Sequence, residues 1–275
     1  MNNLSKLAKN YRKELFEKFV AVGQGHPGST FSMLDIVVTL YHGGFVRFDS
    51  QKKKFLDKVL ISKGHATVAL YPILTKFGVI NQEDWDNWGD AQSCLRVFGN
   101  TTIPGIDMTS GSLGHGIGVG AGMALSFKKS GSAQKVYVVI SEGELYEGST
   151  WEGLLFAAHH KLDNLIIFID INSLIILGGT DDCLSLNSIK DKLSGWNFMT
   201  AEVNGHDCEE IQNTLLEMES RRAYLESDKC FQMPRLIFAN TVKGKGFSIM
   251  ENKANWHYWN PLTQEQIEQC RKEIL

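Results

Sequence analysis

Apolar positions recur at helical spacing at the start of the chain. Leu4, Leu7, Tyr11, Leu15 and Phe19 share one face, and Gly23 closes the run, which predicts a helix over 4–22. GQGHPGS reads as a loop from its Gly and Pro content. FSMLDIVVTLYH is apolar on nearly all sides and reads as a buried helix ended by Gly43 and Gly44. KVLISKGHA reads as a short strand running into a loop, and 66–78 and 81–95 read as helical. NTTIPGIDMTSGSLGHG is long and irregular, the kind of segment that often carries function. In GIGVGAGMALSFKK, glycines at 114, 118 and 122 recur every fourth residue along one helix face. Either another helix of this chain approaches there or a second subunit does.

The middle of the chain has the clearest pattern. VYVVI (136–140) and NLIIFID (164–170) are continuous apolar runs of strand length. Between them lies a helix with apolar stripe Trp151, Leu154, Leu155, Ala158 and Leu162, opened by a capping box at Ser149–Glu152. Strand, helix and strand in this order form a βαβ unit, so the sheet is parallel. RLIFANT (235–241) reads as a further strand of the same kind. The pattern predicts one α/β domain over 1–275, a doubly wound, mainly parallel sheet flanked by helices. Ligands of such sheets bind past the carboxyl ends of the strands.

Composition narrows the function. The chain has 275 residues, 43% of them apolar, with a net charge of −3 and no basic blocks. Nucleic acid is therefore not expected as a partner. No apolar run approaches the ~18 residues of a membrane span. The charged amphipathic N-terminus does not read as a secretory signal. The five cysteines, Cys94, Cys183, Cys208, Cys230 and Cys270, are widely spaced and contain no CxxC pair. Reduced thiols in the cytoplasm are the expectation. No G-x-G-x-x-G follows a strand and no G-x-x-x-x-G-K-[ST] occurs, so the usual phosphate cradles are absent.

SEGELYEGSTWEG places Glu142, Glu144 and Glu147 just beyond the first middle strand. Asn172 follows the second. If the two strands are neighbours, the Glu142 carboxylate and the Asn172 amide oxygen converge at the sheet edge. Oxygen-only ligation suits a hard ion such as Mg²⁺, which expects a ligand phosphate to complete its octahedron. A diphosphate is the natural third party.

These residues resemble the thiamine diphosphate motif, Gly-Asp-Gly with an Asn one βαβ unit later. GHPGS, SKGHA, PGIDMTSGSLGHG, AAHHKLDNL and TVKGKG followed by WH, in order from 26 to 257, resemble the transketolase family. The resemblance implies the thiamine diphosphate-binding fold and the diphosphate-binding half of a transketolase made as a separate subunit. It implies Glu142, Asn172 and the carbonyl of Leu174 as metal ligands. It implies Gly143, Ser29, His65, Lys243, Gly111, Ser112, Leu113, Asn172 and His257 as cofactor-binding. His26 and His257 would face the reacting carbon and the substrate hydroxyls, work for which an imidazole with a pKa near ~6.5 is suited. His42, His159, His160 and His206 carry no such motif and read as ordinary. Glu144 and Glu147 are not expected as ligands, and Glu147 is expected to bury a structural hydrogen bond.

The family pattern implies transfer of a two-carbon ketol unit from a ketose, free or phosphorylated, to an aldose. It also implies a partner, a C-terminal transketolase-like subunit carrying the pyrimidine-binding domain, in a heterotetramer. Subunits of other thiamine diphosphate enzymes (a deoxyxylulose-phosphate synthase, an oxo-acid dehydrogenase) are the alternative, as is a non-catalytic scaffold. Four departures bear on these expectations. Ser141-Glu142-Gly143 stands for Gly-Asp-Gly, and the longer Glu implies weaker Mg²⁺ or tolerance of Ca²⁺ or Mn²⁺. A family Gly-His-Pro before PGID is missing, with Asn100 nearby. Ser173 and Tyr258 each stand where the family has Gly. Together they imply an altered acceptor or a weakened enzyme.

Overall fold

The computed structural model describes residues 3–186, 189–225 and 232–274. Cys230 lies outside the described residues; the other four cysteines are free. Two long helices, α1 (Asn3–Val22) and α2 (Pro27–His42), lead into a small antiparallel ribbon of β1 (Phe48–Asp49) and β2 (Lys54–Phe55). Then come β3 (Lys58–Ile61), a 3₁₀ turn (Gly64–Leu70), α3 (Tyr71–Lys76) and α4 (Gln82–Asp86). α5 (Gly116–Lys129), β4 (Val136–Ser141), α6 (Gly148–His159) and β5 (Leu165–Ile171) form the centre. α7 (Thr180–Leu184), α8 (Ile189–Ser194), β6 (Met199–Asn204), α9 (Cys208–Leu225), β7 (Arg235–Asn240) and α10 (Gln264–Glu273) complete it.

β3-β4-β5-β7-β6 make one sheet, and every pairing is parallel. The doubly wound α/β architecture expected from the apolar runs is present. Alternate residues of each strand serve opposite layers. Tyr137, Val139, Ile166 and Phe168 pack with α1, α2 and α9. Val138, Ile140, Ile167 and Ile169 pack with α5 and α6 on the other face. That two-sided burial is why these strands read as continuous apolar runs. Among the described residues no helix is long and apolar enough to cross a membrane.

Several local readings change. The stretch 66–78 starts as the 3₁₀ turn and becomes α-helical only at Tyr71. Within 81–95 only Gln82–Asp86 is helical. Gly89 has φ +102°, and a Cβ there would meet Val22 at 2.3 Å, so the chain turns back against α1 instead of continuing. The expected capping box at Ser149 is absent: α6 starts at Gly148, and the Ser149 hydroxyl donates to the Gly114 carbonyl. The box lies a turn earlier, between Ser141 and Glu144. The glycine face is also displaced. Gly114 precedes α5 and lies close against the start of α6, where its Cβ would meet Glu147 at 2.6 Å. Within α5 the close approaches are made by Gly116, whose Cβ would meet Ser62 at 2.3 Å, and Gly120, against Val138 at 2.5 Å. Gly118 and Gly122 are exposed and face open space.

One buried ion pair ties the strand ends together. Lys63, past β3, and Asp170, in β5, are 1% and 0% exposed and bonded to each other. Lys63 also donates to the Ser29 carbonyl at 3.0 Å. Asp170 accepts from Ser32 of α2 at 2.5 Å and from Thr241 past β7. Burial would raise the Asp170 carboxyl, but Lys63 and these hydroxyls hold it below its ordinary value. Removing one partner leaves the other charge buried and alone. We expect Lys63→Met to lower unfolding free energy by about 3–5 kcal/mol, read as a shift in urea midpoint.

Candidate functional site

The carboxyl ends of β3, β4, β5 and β7 open onto one cavity of about 380 Å³. β3 delivers Lys63 and His65, β4 Glu142 and Gly143, β5 Asn172 and Leu174, and β7 Lys243. The start of α2 adds His26 and Ser29, and the irregular segment before α5 adds Gly111 and Leu113. His257 closes the wall with Tyr258. Of the residues nominated from sequence only Ser112 is not part of the lining; it is exposed.

Local geometry follows from the residue types. Glu142 is buried, and both its oxygens have donors: Oε2 accepts the Ser173 N–H at 2.8 Å and Oε1 the Thr180 hydroxyl at 3.1 Å. Burial raises its pKa against these bonds. The Asn172 Oδ1 accepts the Leu174 N–H at 3.2 Å, an Asx turn that folds the loop back. Ser173 has φ +58°, a left-handed conformation that glycine adopts more easily. At Gly143 a Cβ would meet Ile175 at 3.2 Å.

Glu144, not Glu147, is the buried structural carboxylate. It accepts from the Ser62 hydroxyl and from the backbone N–H groups of Gly114 (3.0 Å) and Ser141 (2.9 Å). Glu147 is exposed at the rim. The register explains the exchange: Glu144 falls at the third position of a 3₁₀ turn, where its side chain reaches back to the turn's start. Asn100 is occupied by its own turn, its Oδ1 accepting from the N–H and hydroxyl of Thr102 at 2.7 and 2.6 Å. It does not line the cavity.

Opposite Glu142 the cavity is cationic and imidazole-lined. Lys243 is buried, and its ammonium touches the Nδ1 of His257 at 3.3 Å. Burial, then Lys63, pushes Lys243 down to about 8. His26, His65 and His257 form a triangle with ring centroids 5.0, 5.4 and 5.0 Å apart. Burial, then Lys243, pushes His26 down to about 4. Burial, Lys243, His26 and Lys63 push His257 down to about 3. Burial with the same neighbours lowers His65 well below its ordinary value. His65 Nε2 pairs with the Ser29 hydroxyl at 2.9 Å. The Nδ1 of His26 is buried and has no hydrogen-bond partner among the described residues. The rings of Phe98 and Tyr258 lie 5.7 and 4.9 Å from that of His26 and form an aromatic rim.

Residues 5–274 match the family model described as transketolase, thiamine diphosphate binding domain. The chain belongs to the transketolase family. It is 36% identical over 264 residues to one subunit of the apulose-4-phosphate transketolase of Phocaeicola vulgatus, covering 96% of this chain and 90% of that protein. It is 32% identical over 275 residues to the 6-deoxy-6-sulfo-D-fructose transketolase subunit SqwG of Clostridium sp., covering 99% and 96%. A transketolase from Leishmania mexicana superposes with a TM-score of 0.86 at 25% identity, covering 100% of this chain and 41% of that one. This transketolase-family chain thus spans less than half of that solved structure's length.

Among the lining residues that escaped the sequence reading are Lys63 and Phe98, beside Tyr146, Ile175 and Ile176. Lys63 stands inside the SKGHA motif, and that was its available signal. Phe98 belongs to no motif and enters only because the segment before PGID folds over His26.

The histidine cluster gives the family member a pH signature. In the unfolded chain these imidazoles take up protons near ~6.5, whereas in the folded chain His26 and His257 wait until about 4 and about 3. The unfolded state therefore binds more protons between these values, and stability falls as pH drops through that window. We expect the thermal midpoint of the ligand-free chain to decline from about pH 6.5 downward. His257→Asn should flatten the decline; a parallel profile in that variant would contradict the assignment.

Proposed function

We propose that this chain is the diphosphate-binding subunit of a two-subunit transketolase. It holds thiamine diphosphate through a divalent ion and, with a C-terminal transketolase-like partner, moves a two-carbon ketol unit from a ketose to an aldose. The observation that carries the reading is Lys243. This buried ammonium forms no ion pair among the described residues and faces, across one cavity, the carboxylate and amide oxygens of two adjacent strand tips. An anion that also carries a hard cation satisfies both walls.

The donor set fits Mg²⁺. Glu142, Asn172 and the Leu174 carbonyl offer oxygen only. Glu142 accepts from the Ser173 N–H and the Thr180 hydroxyl, and the Asn172 N–H also favours its charged form, which still leaves lone-pair capacity on the carboxylate for a cation. Thiamine diphosphate supplies the carbanion chemistry when bound. Lys243 then neutralises phosphate charge, Gly143 lets the backbone pass closely, and Ser29 and His65 present their hydrogen-bonded pair to the cofactor. Gly111 and Leu113, which line the cavity, would border the cofactor, whereas Ser112 stands outside the lining. His257 Nδ1 faces the Lys243 ammonium and accepts from it, so Nε2 carries the proton and is the donor offered to a substrate oxygen. His26, neutral and with a free Nδ1, takes or gives a proton at a substrate hydroxyl.

The relatives named as subunits support a partner, and so does the surface beside the mouth. Ile176 and Leu184 are exposed, and Leu177 is 80% exposed. Assembly as a heterotetramer, and work in a reducing cytoplasm, belong to the same proposal. Names of relatives that include apulose-4-phosphate and 6-deoxy-6-sulfo-D-fructose favour an anionic sugar as substrate.

The test is reconstitution. The chain purified with its partner should retain thiamine diphosphate and a divalent ion by mass and elemental analysis and transfer a ketol unit from xylulose 5-phosphate. The chain alone should bind thiamine diphosphate weakly and transfer nothing, and turnover by the chain alone would refute the split arrangement. Lys243→Met should weaken thiamine diphosphate binding about tenfold in calorimetry. Because only the protonated amine attracts phosphate, affinity of the parent chain should fall as pH rises through about 8.

A further inference from the structure

His206 reads as an ordinary histidine in the sequence, yet the fold places its ring between two anchors. Nδ1 lies 2.9 Å from the Asp35 carboxylate, and Nε2 accepts the backbone N–H of Val242 at 2.8 Å. Val242 has no other proton to offer there, so Nε2 is the acceptor and Nδ1 carries the hydrogen it donates to Asp35. The ring is therefore a neutral spacer of fixed tautomer. Its far anchor is firm: Asp35, in α2, also receives the Arg12 guanidinium of α1 at 2.5 Å. Burial would raise the Asp35 carboxyl, but Arg12 and His206 hold it below its ordinary value.

The turn that bears His206 is docked on the end of β7 by two further contacts. Gly205 donates its N–H to the Asn240 carbonyl at 2.7 Å. A Cβ on Gly205 would meet Thr241 at 2.4 Å, so only glycine allows that approach. The next residue after Val242 is Lys243. Other bonds hold the segment beyond it, from Gly244 N–H to the Gly28 carbonyl and from Asn252 N–H to the Lys243 carbonyl, each 3.0 Å. On the strand side of Lys243, the bond to His206 holds the Val242 N–H, while the Val242 carbonyl accepts from Lys245 within the local turn at 3.2 Å.

We infer that His206 is a positioning residue for phosphate binding: through Val242 it sets where Lys243 enters the cavity. This rests on the cofactor reading above for the identity of the ligand, but the bond itself is testable without one. Arg12, Asp35, His206 and Val242 thus link the helical layer of α1 and α2 to the cation at the strand tips.

The experiment compares the parent chain with His206→Leu and His206→Gln, the second keeping an amide oxygen for the Val242 N–H and an NH₂ for Asp35. Hydrogen exchange is read first in the ligand-free chain. In His206→Leu the Val242 amide should exchange about tenfold faster or more, with exchange in β5 and β7 unchanged. Affinity for thiamine diphosphate with Mg²⁺ should drop about fivefold, while affinity for thiamine, which lacks phosphate, stays level. His206→Gln should restore both readouts to within about twofold. Unaltered Val242 exchange in His206→Leu would overturn the inference. So would loss of protection spread over the whole sheet, or an equal loss of thiamine and thiamine diphosphate affinity, since each denotes a merely structural role. A parent chain that takes up no thiamine diphosphate even with its partner subunit present, while Val242 behaves as expected, refutes the cofactor reading instead.

Discussion

The buried pair of Lys63 and Asp170 is the constraint on which the site depends. Two opposite charges are removed from water, which is unfavourable unless each is fully partnered. They are: α2 supplies Ser29 and Ser32, and the exit of β7 supplies Thr241. The result is that β3, β5, β7 and the start of α2 are held in one geometry at the place where the cavity opens. Lys63 is neutralised by this arrangement and Lys243 is not. The asymmetry leaves the Lys243 ammonium facing the cavity, and it is the feature an anionic ligand would answer.

The acidic wall works differently. Glu142 is one methylene longer than the Asp of the family pattern, and the fold uses the extra length. The carboxylate reaches the Ser173 N–H and the Thr180 hydroxyl, drawing the loop after β5 over the tip of β4. Ser173 occupies a left-handed conformation to allow this. The nearby Glu144 handles the opposite boundary, tying β4 to the segments around Ser62 and Gly114. Two neighbouring carboxylates thus have separate tasks, one at the cavity and one inside the scaffold.

Much of the architecture was legible because two-sided burial leaves a direct trace. VYVVI and NLIIFID have no polar face, and only a parallel sheet with helices on both sides buries such strands completely. β6 was not legible, since it lies at the sheet edge with alternating exposure and polar residues. The short helices after β3 were over-extended in the sequence reading because Trp85 and Trp88 mimic a helical stripe. Their burial is tertiary, Trp88 packing edge-on to Phe19 and Trp85 donating its indole N–H to Glu14 of α1, and Gly89 turns the chain to achieve it.

The sequence by itself determined which residue types stand at the strand tips, because motif order follows the chain and each apolar run ends where its polar tip begins. From that alone Glu142 and Asn172 could be named; the other candidates came from the family resemblance of the motifs, and the fold gathers all of them but Ser112 around one cavity. Only the tertiary structure decided the roles that depend on distance between segments far apart in the chain. It chose Glu144 over Glu147 as the buried carboxylate, left Asn100 to its own turn, and made His206 the link between Asp35 and Val242. The physical reason is that hydrogen bonds are satisfied across short distances in space, and spacing along the chain records these only within a single helix, strand or turn.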